Sequence, residues 1–117
     1  MNGLPKPLRW RGTSKRDYES FPPEVQREMG YALYLVQMGE RHQAPTKILK
    51  GFAGASVVEI RENAAGGTYR AVYTVRFADT VYVLHAFQKK STKGIATSDR
   101  DMHLIEQRLK ALIAERA

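Results

Sequence analysis

Six side chains in the second half of the chain have the types and spacing to do chemistry: Arg61, Arg70, His85, Phe87, Lys89 and Lys90. Two guanidinium and two ammonium groups suit a phosphate or another small anion, an imidazole can give or take a proton near neutrality, and a ring can stack on a planar ligand. They lie in three β-rich runs, Val57 to Asn63, Thr68 to Phe77 and Thr80 to Lys90, separated by Ala64-Ala65-Gly66-Gly67 and by Ala78-Asp79. Such runs joined by short turns predict an antiparallel meander. Side chains alternate between the two faces of a strand, so turn length decides which residues become neighbours. A two-residue turn at Ala78-Asp79 sets Arg70, Val72, Thr74 and Arg76 on one face with Val83, His85, Phe87 and Lys89. A four-residue turn at Ala64 to Gly67 then places Arg61 opposite Arg70. Facing arginines destabilise a sheet by up to about 1 kcal/mol, and an anion between them would remove that cost. The opposite face, with Tyr69, Ala71, Tyr73, Val75, Tyr82, Leu84 and Ala86, is the one suited to packing against helices.

The elements that must hold this face are legible in outline. Leu8 to Thr13 alternates apolar and basic residues and reads as a short edge strand, and Lys15 to Phe21 as a short helical turn. Pro22 and Pro23 suit the opening of a second helix, whose Val25, Met29, Ala32, Leu33 and Val36 form one inward stripe until Gly39 stops it. Gly39 to Ser56 reads as a long basic connection; its GFAGAS lacks the Lys and Ser/Thr arrangement of a phosphate-binding loop. A final helix starts near Ser98, with Met102, Ile105, Leu109, Leu112 and Ile113 along one stripe. The expected class is α+β: a small antiparallel twisted sheet, made of the N-terminal strand and the meander, with two N-terminal helices packed on one face and a C-terminal helix. Residues 1–117 form a single domain, since 117 residues with 43% apolar content supply one core.

Charge narrows the partners. Nineteen Lys and Arg against 12 Asp and Glu give +7, so a partner met electrostatically should be an anion, with RNA, DNA and ribosome surfaces first. Three basic blocks carry the excess: Lys6 to Arg16, Arg41 to Lys50, and Lys89 to Lys93. Residues 17–40 run the other way, with Asp17, Glu19, Glu24, Glu28 and Glu40 against Arg27. No cysteine is present, and His42, His85 and His103 are scattered, so neither thiolate nor zinc chemistry is expected, and no cofactor. With no membrane span and no hydrophobic leader in MNGLPKPLRWRG, the expected location is cytoplasmic.

The stretch VVEIREN, TYRAVYTVRFADTVYVLHAFQKKSTKG resembles the phage-derived, HigB-like branch of the RelE/ParE toxin superfamily, in which a strand ending in Glu-Leu/Ile-Arg, a Tyr-Arg strand and a Leu-His-x-Phe-x-Lys-Lys strand follow in this order. The helix Pro22 to Met38 and the closing helix with Ile105, Arg108 and Leu109 fit the same pattern. The resemblance implies a toxin paired with a helix-turn-helix (XRE-type) antitoxin, cutting messenger RNA on the ribosome without metal by attack of the 2′-hydroxyl on the adjacent phosphate. It implies Arg70 as the holder of the scissile phosphate and Arg61 as its partner, with Lys89 and Lys90 as further phosphate contacts or a base, and His85 as acid or base. Phe87 or Tyr73 would stack on a base, and Arg9, Arg11, Lys47, Lys50 and Lys93 would contact RNA. A ParE-like toxin that inhibits DNA gyrase, or an inactive prophage remnant that binds nucleic acid, shares the pattern.

Overall fold

The computed structural model describes residues 3–52, 56–89 and 96–117. Lys90 and Lys93 lie outside them. Five strands and three helices follow in the order β1 (Leu8–Trp10), α1 (Ser14–Glu19), α2 (Pro23–Gln37), β2 (Thr46–Ile48), β3 (Val57–Ala64), β4 (Gly67–Thr74), β5 (Val81–Lys89) and α3 (Asp99–Arg116). They build one mixed sheet in the order β1-β5-β4-β3-β2.

Local signals set the helix boundaries. Pro23 opens α2 and Glu24 sits in its first turn, where the helix dipole favours a carboxylate. At the far end Gly39 adopts φ +74°. Glu40 N–H bonds to Leu35 C=O and Gly39 N–H to Val36 C=O, closing the helix in a Schellman arrangement that a side chain at Gly39 would strain. Ser98 caps α3 by accepting from Asp101 N–H, with Asp99 and Asp101 in the first turn.

Two edges differ from the sequence reading. β1 pairs parallel to β5, Leu8 with Val81 and Trp10 with Val83, so the sheet is mixed and not wholly antiparallel. The connection after Gly39 contains β2, which pairs antiparallel with β3 and adds a fifth strand. With only Thr46-Lys47-Ile48, and all three exposed, it has no alternation long enough to announce a strand.

The meander contains the feature that decides the site. The first hairpin pairs Ala64 with Gly67 and Arg61 with Arg70, as the turn length predicted. The second departs: β4 ends at Thr74, β5 starts at Val81, and near the turn Thr74 pairs with Tyr82 and Tyr73 with Val83. Continued, that register would set Ala86 against Arg70 and turn His85 to the other face. A β-bulge intervenes, Leu84 is the extra residue, and beyond it Val72 pairs with His85, Arg70 with Phe87 and Thr68 with Lys89. The expected neighbours of Arg70 are therefore found, though the two-residue turn invoked for them is not. Between turn and bulge the expected faces are exchanged: Val83 joins the α2 side, Tyr82 and Leu84 the other, and Val75 and Arg76 fall outside the strand.

Both faces are covered. Ile60, Tyr69, Ala71, Tyr73, Val81, Val83 and Ala86 pack with Phe21, Val25, Met29 and Leu33 from α2 and the turn before it. Val57, Val72, Tyr82 and Leu84 pack with Ile105, Leu109 and Leu112 of α3. The helices thus do not share one face: α3 lies on the face that carries the arginines. No helix among the described residues is long and apolar enough to cross a membrane.

Candidate functional site

On the α3 side of the sheet the cross-strand rows are Lys47, Glu59, Val72, His85, then Arg61, Arg70, Phe87, then Asn63, Thr68, Lys89. The sequence reading counted most of these residues toward the site but not Glu59, which pairs with Arg61 and is central. Its side chain is fully buried, with 0% exposure. Oε1 accepts from Arg70 Nη1 at 3.1 Å and from Arg61 Nε at 3.2 Å, while Oε2 accepts from Thr97 Oγ1 at 2.6 Å. The anion that two facing arginines require is supplied by the protein's own carboxylate, one residue pair along the same face. The signal was present in VVEIRE, because Glu59 has the parity of Arg61.

The two arginines differ in access. Arg70 is 2% exposed and forms a buried pair with Glu59, whereas the Arg61 side chain keeps 26% of its surface in solvent. Arg61 can meet a ligand from outside, and Arg70 holds the carboxylate that it shares with Arg61.

His85 is buried and stacks on Phe87, ring centroids 4.6 Å apart and nearly parallel. Its Nε2 lies 2.8 Å from Asp101 Oδ1 at the start of α3, and its Nδ1 faces Arg108 Nη1 at 3.5 Å. A carboxylate on one nitrogen and a guanidinium on the other match the neutral tautomer with hydrogen on Nε2. Burial pushes the imidazole below its ordinary value; Asp101 opposes that shift and Arg108 adds to it. Burial raises the carboxyl of Asp101, yet hydrogen bonds from Ser98 and His85 and the nearby charges of His85 and Lys89 bring it below the usual carboxylate range. Arg108 is held by Leu84 C=O, at the bulge, and by Thr13 Oγ1. Gly12, at φ +57°, permits this: a Cβ there would lie 2.5 Å from Arg108 Nε. Lys89 Nζ donates to Ala96 C=O. Asp101, Arg108 and Thr97 come from the C-terminal part of the chain, and no local spacing linked them to the meander.

The remaining predicted contacts are dispersed. Lys47 is exposed on β2 and stands in register with Glu59, which brings it beside the arginine row; Lys50 is exposed nearby, in a groove that also includes Thr97 and Met102. Arg9 is exposed at the opposite edge of the sheet. Arg11 is paired with Glu115 of α3. Tyr73 is buried in the α2 core, so it is not brought to the site, and Phe87 alone of the two rings lies there. Among the described residues no three His, Asp or Glu side chains come together as a metal site.

Comparison with solved structures yields the same architecture. A doubly substituted mutant of the E. coli toxin RelE in the free state superposes with a TM-score of 0.59 at 16% identity, covering 92% of this chain and 98% of that one. The isolated E. coli RelE toxin gives 0.55 at 16% identity, with 87% and 97% covered. The toxin–antitoxin complex RelBE2 of Mycobacterium tuberculosis gives 0.50 at 20% identity, with 74% and 100% covered. The fold is that of the RelE toxins. No curated protein sequence matches the chain. The profile of the phage-derived Gp49-like proteins matches residues 16–110, which include α2, the whole meander and most of α3, and the chain accordingly belongs to the Gp49-like family.

Proposed function

We propose that this protein is the toxin of a toxin–antitoxin pair and a metal-independent endoribonuclease that cleaves messenger RNA on the ribosome. The observation that carries the reading is the row of Arg61, Phe87, Lys89 and the His85–Asp101 pair on one sheet face of a RelE fold. The 2′-oxygen of the substrate attacks its adjacent phosphorus, the bond to the 5′-oxygen breaks, and a cyclic phosphate results while the departing 5′-oxygen takes a proton from water to become a hydroxyl. Arg61 and Lys89 balance the charge that builds on the phosphoryl oxygens. His85, unprotonated near neutrality, takes the 2′-hydroxyl proton at Nδ1 once Arg108 yields to the substrate, with Asp101 orienting the ring. Phe87 supports a base by stacking, and Lys47 and Lys50 hold the flanking strand. The partner is an antitoxin, as a toxin–antitoxin complex exists for RelBE2, and here one of the helix-turn-helix class.

Glu59 also favours a second reading. Because it already accepts hydrogen bonds from both Arg61 and Arg70, a structural role accounts for their facing placement, as in a toxin that inhibits a protein such as gyrase without cutting RNA. Induced expression of the wild type and of Arg61→Ala/Lys89→Ala, with mapping of 5′ ends on cellular RNA, separates the two. New cuts within translated frames that vanish in the double variant support the ribonuclease; growth arrest with intact messages selects the protein target. Arg70→Ala is the poorer probe, since it strands a buried carboxylate.

A further inference from the structure

The acidic stretch from Asp17 to Glu40 has no part in an RNA-cutting reading, yet it shapes a second surface. Along the outer side of α2 and the 40–45 connection runs a groove of about 590 Å³, floored by Ala32, Leu35, Ala44 and Pro45 and rimmed by Glu28, Glu40 and Glu62. Arg41 and His42 are its only basic-type lining residues among those described, and burial holds His42 below its ordinary value, so the groove stays negative at neutral pH. Tyr31 stands at its edge with 63% of its surface exposed, and Tyr34, one turn on, with 45%.

Two features cost stability unless something covers them. Glu62 from β3 and Glu28 from α2 are close enough to repel, and among the described residues neither they nor Glu40 has an ion pair. In a chain with 19 cations, acids left together in this way point to a cation from outside. Large exposed aromatic rings beside them point to a protein surface in place of a small ion. Nucleic acid is the wrong sign.

We propose that this groove docks a basic amphipathic segment of a protein partner, its Lys or Arg side chains between Glu28 and Glu62 and an apolar side chain against Tyr31 and Leu35. The assignment stands whether or not the chain cleaves RNA. A synthetic amphipathic helix of leucine and lysine serves as the probe, with a leucine and glutamate counterpart as its control. Amide NMR titration of the full chain at low salt should move residues of α2 and of the 40–45 connection. Calorimetry should then show binding weakened by about tenfold or more in Glu28→Gln/Glu62→Gln and unchanged in Glu19→Gln, an exposed acid outside the groove. The amide spectrum of the double variant reports its fold directly. Shifts confined to another surface, equal affinity for the double variant, or binding of the glutamate peptide overturns the proposal. So does displacement of the lysine peptide by an RNA oligomer acting at the same amides, or self-association of the chain through this groove.

Discussion

Replacing Arg70 by alanine tests whether the Glu59 arrangement holds the sheet together. Glu59 is wholly buried and Arg70 nearly so, and removing one partner of such a pair costs about 3–5 kcal/mol because the other charge is left in a poor medium. Here the carboxylate retains Arg61, which is partly in solvent, and the hydroxyl of Thr97, so a cost near the low end, about 3 kcal/mol, is expected. For a chain of this length that is a fall in Tm of about 12 °C. Arg61→Ala, which leaves the buried pair intact, should cost about 1 kcal/mol or less. Replacing both buried charges, Glu59→Leu with Arg70→Met, should return stability to within about 1 kcal/mol of the parent. Urea unfolding followed by circular dichroism, with slopes compared to verify a common denatured state, measures the three variants against the parent. If Arg70→Ala costs less than Arg61→Ala, or if the double replacement is worse than Arg70→Ala alone, the buried pair is not what anchors these strands.

Other consequences follow from His85 and its surroundings. Burial sets both His85 and His42 below the ordinary 6.5, so the unfolded chain binds more protons than the fold just under that pH. Stability should therefore be full above about pH 6.5 and decline as pH falls toward the folded values, and His85→Gln should flatten that slope in a pH series of urea midpoints. Gly12→Ala should displace the Arg108 guanidinium that lowers the imidazole, raising the His85 titration midpoint seen by NMR at a cost of about 1 kcal/mol or more for the positive φ. Ser98→Ala should cost about 1 kcal/mol by removing the α3 cap, and should loosen Asp101 from His85, visible as faster amide exchange at the start of α3. Leu84→Ala should cost about 2–5 kcal/mol, because the side chain is fully buried against α3, and a fall in calorimetric Tm measures it.

What the amino-acid order determined by itself was local. Apolar spacing in α2 and α3, the glycine stop at Gly39, the Ser98 cap and the first hairpin register rest on a few residues in contact along the chain, and periodicity reports them directly. The arginine pair was legible for that reason. Tertiary structure decided the rest. A bulge at Leu84 has no spacing signature; it arises because Tyr82 and Leu84 must reach α3 while Val81 and Val83 reach α2, a demand made by two cores on opposite faces. The same two cores put α3 on the arginine face, so that Thr97 meets Glu59, and Asp101 and Arg108 meet His85. These contacts join segments more than ten residues apart in sequence and form only when separate elements pack together, which no window along the chain contains.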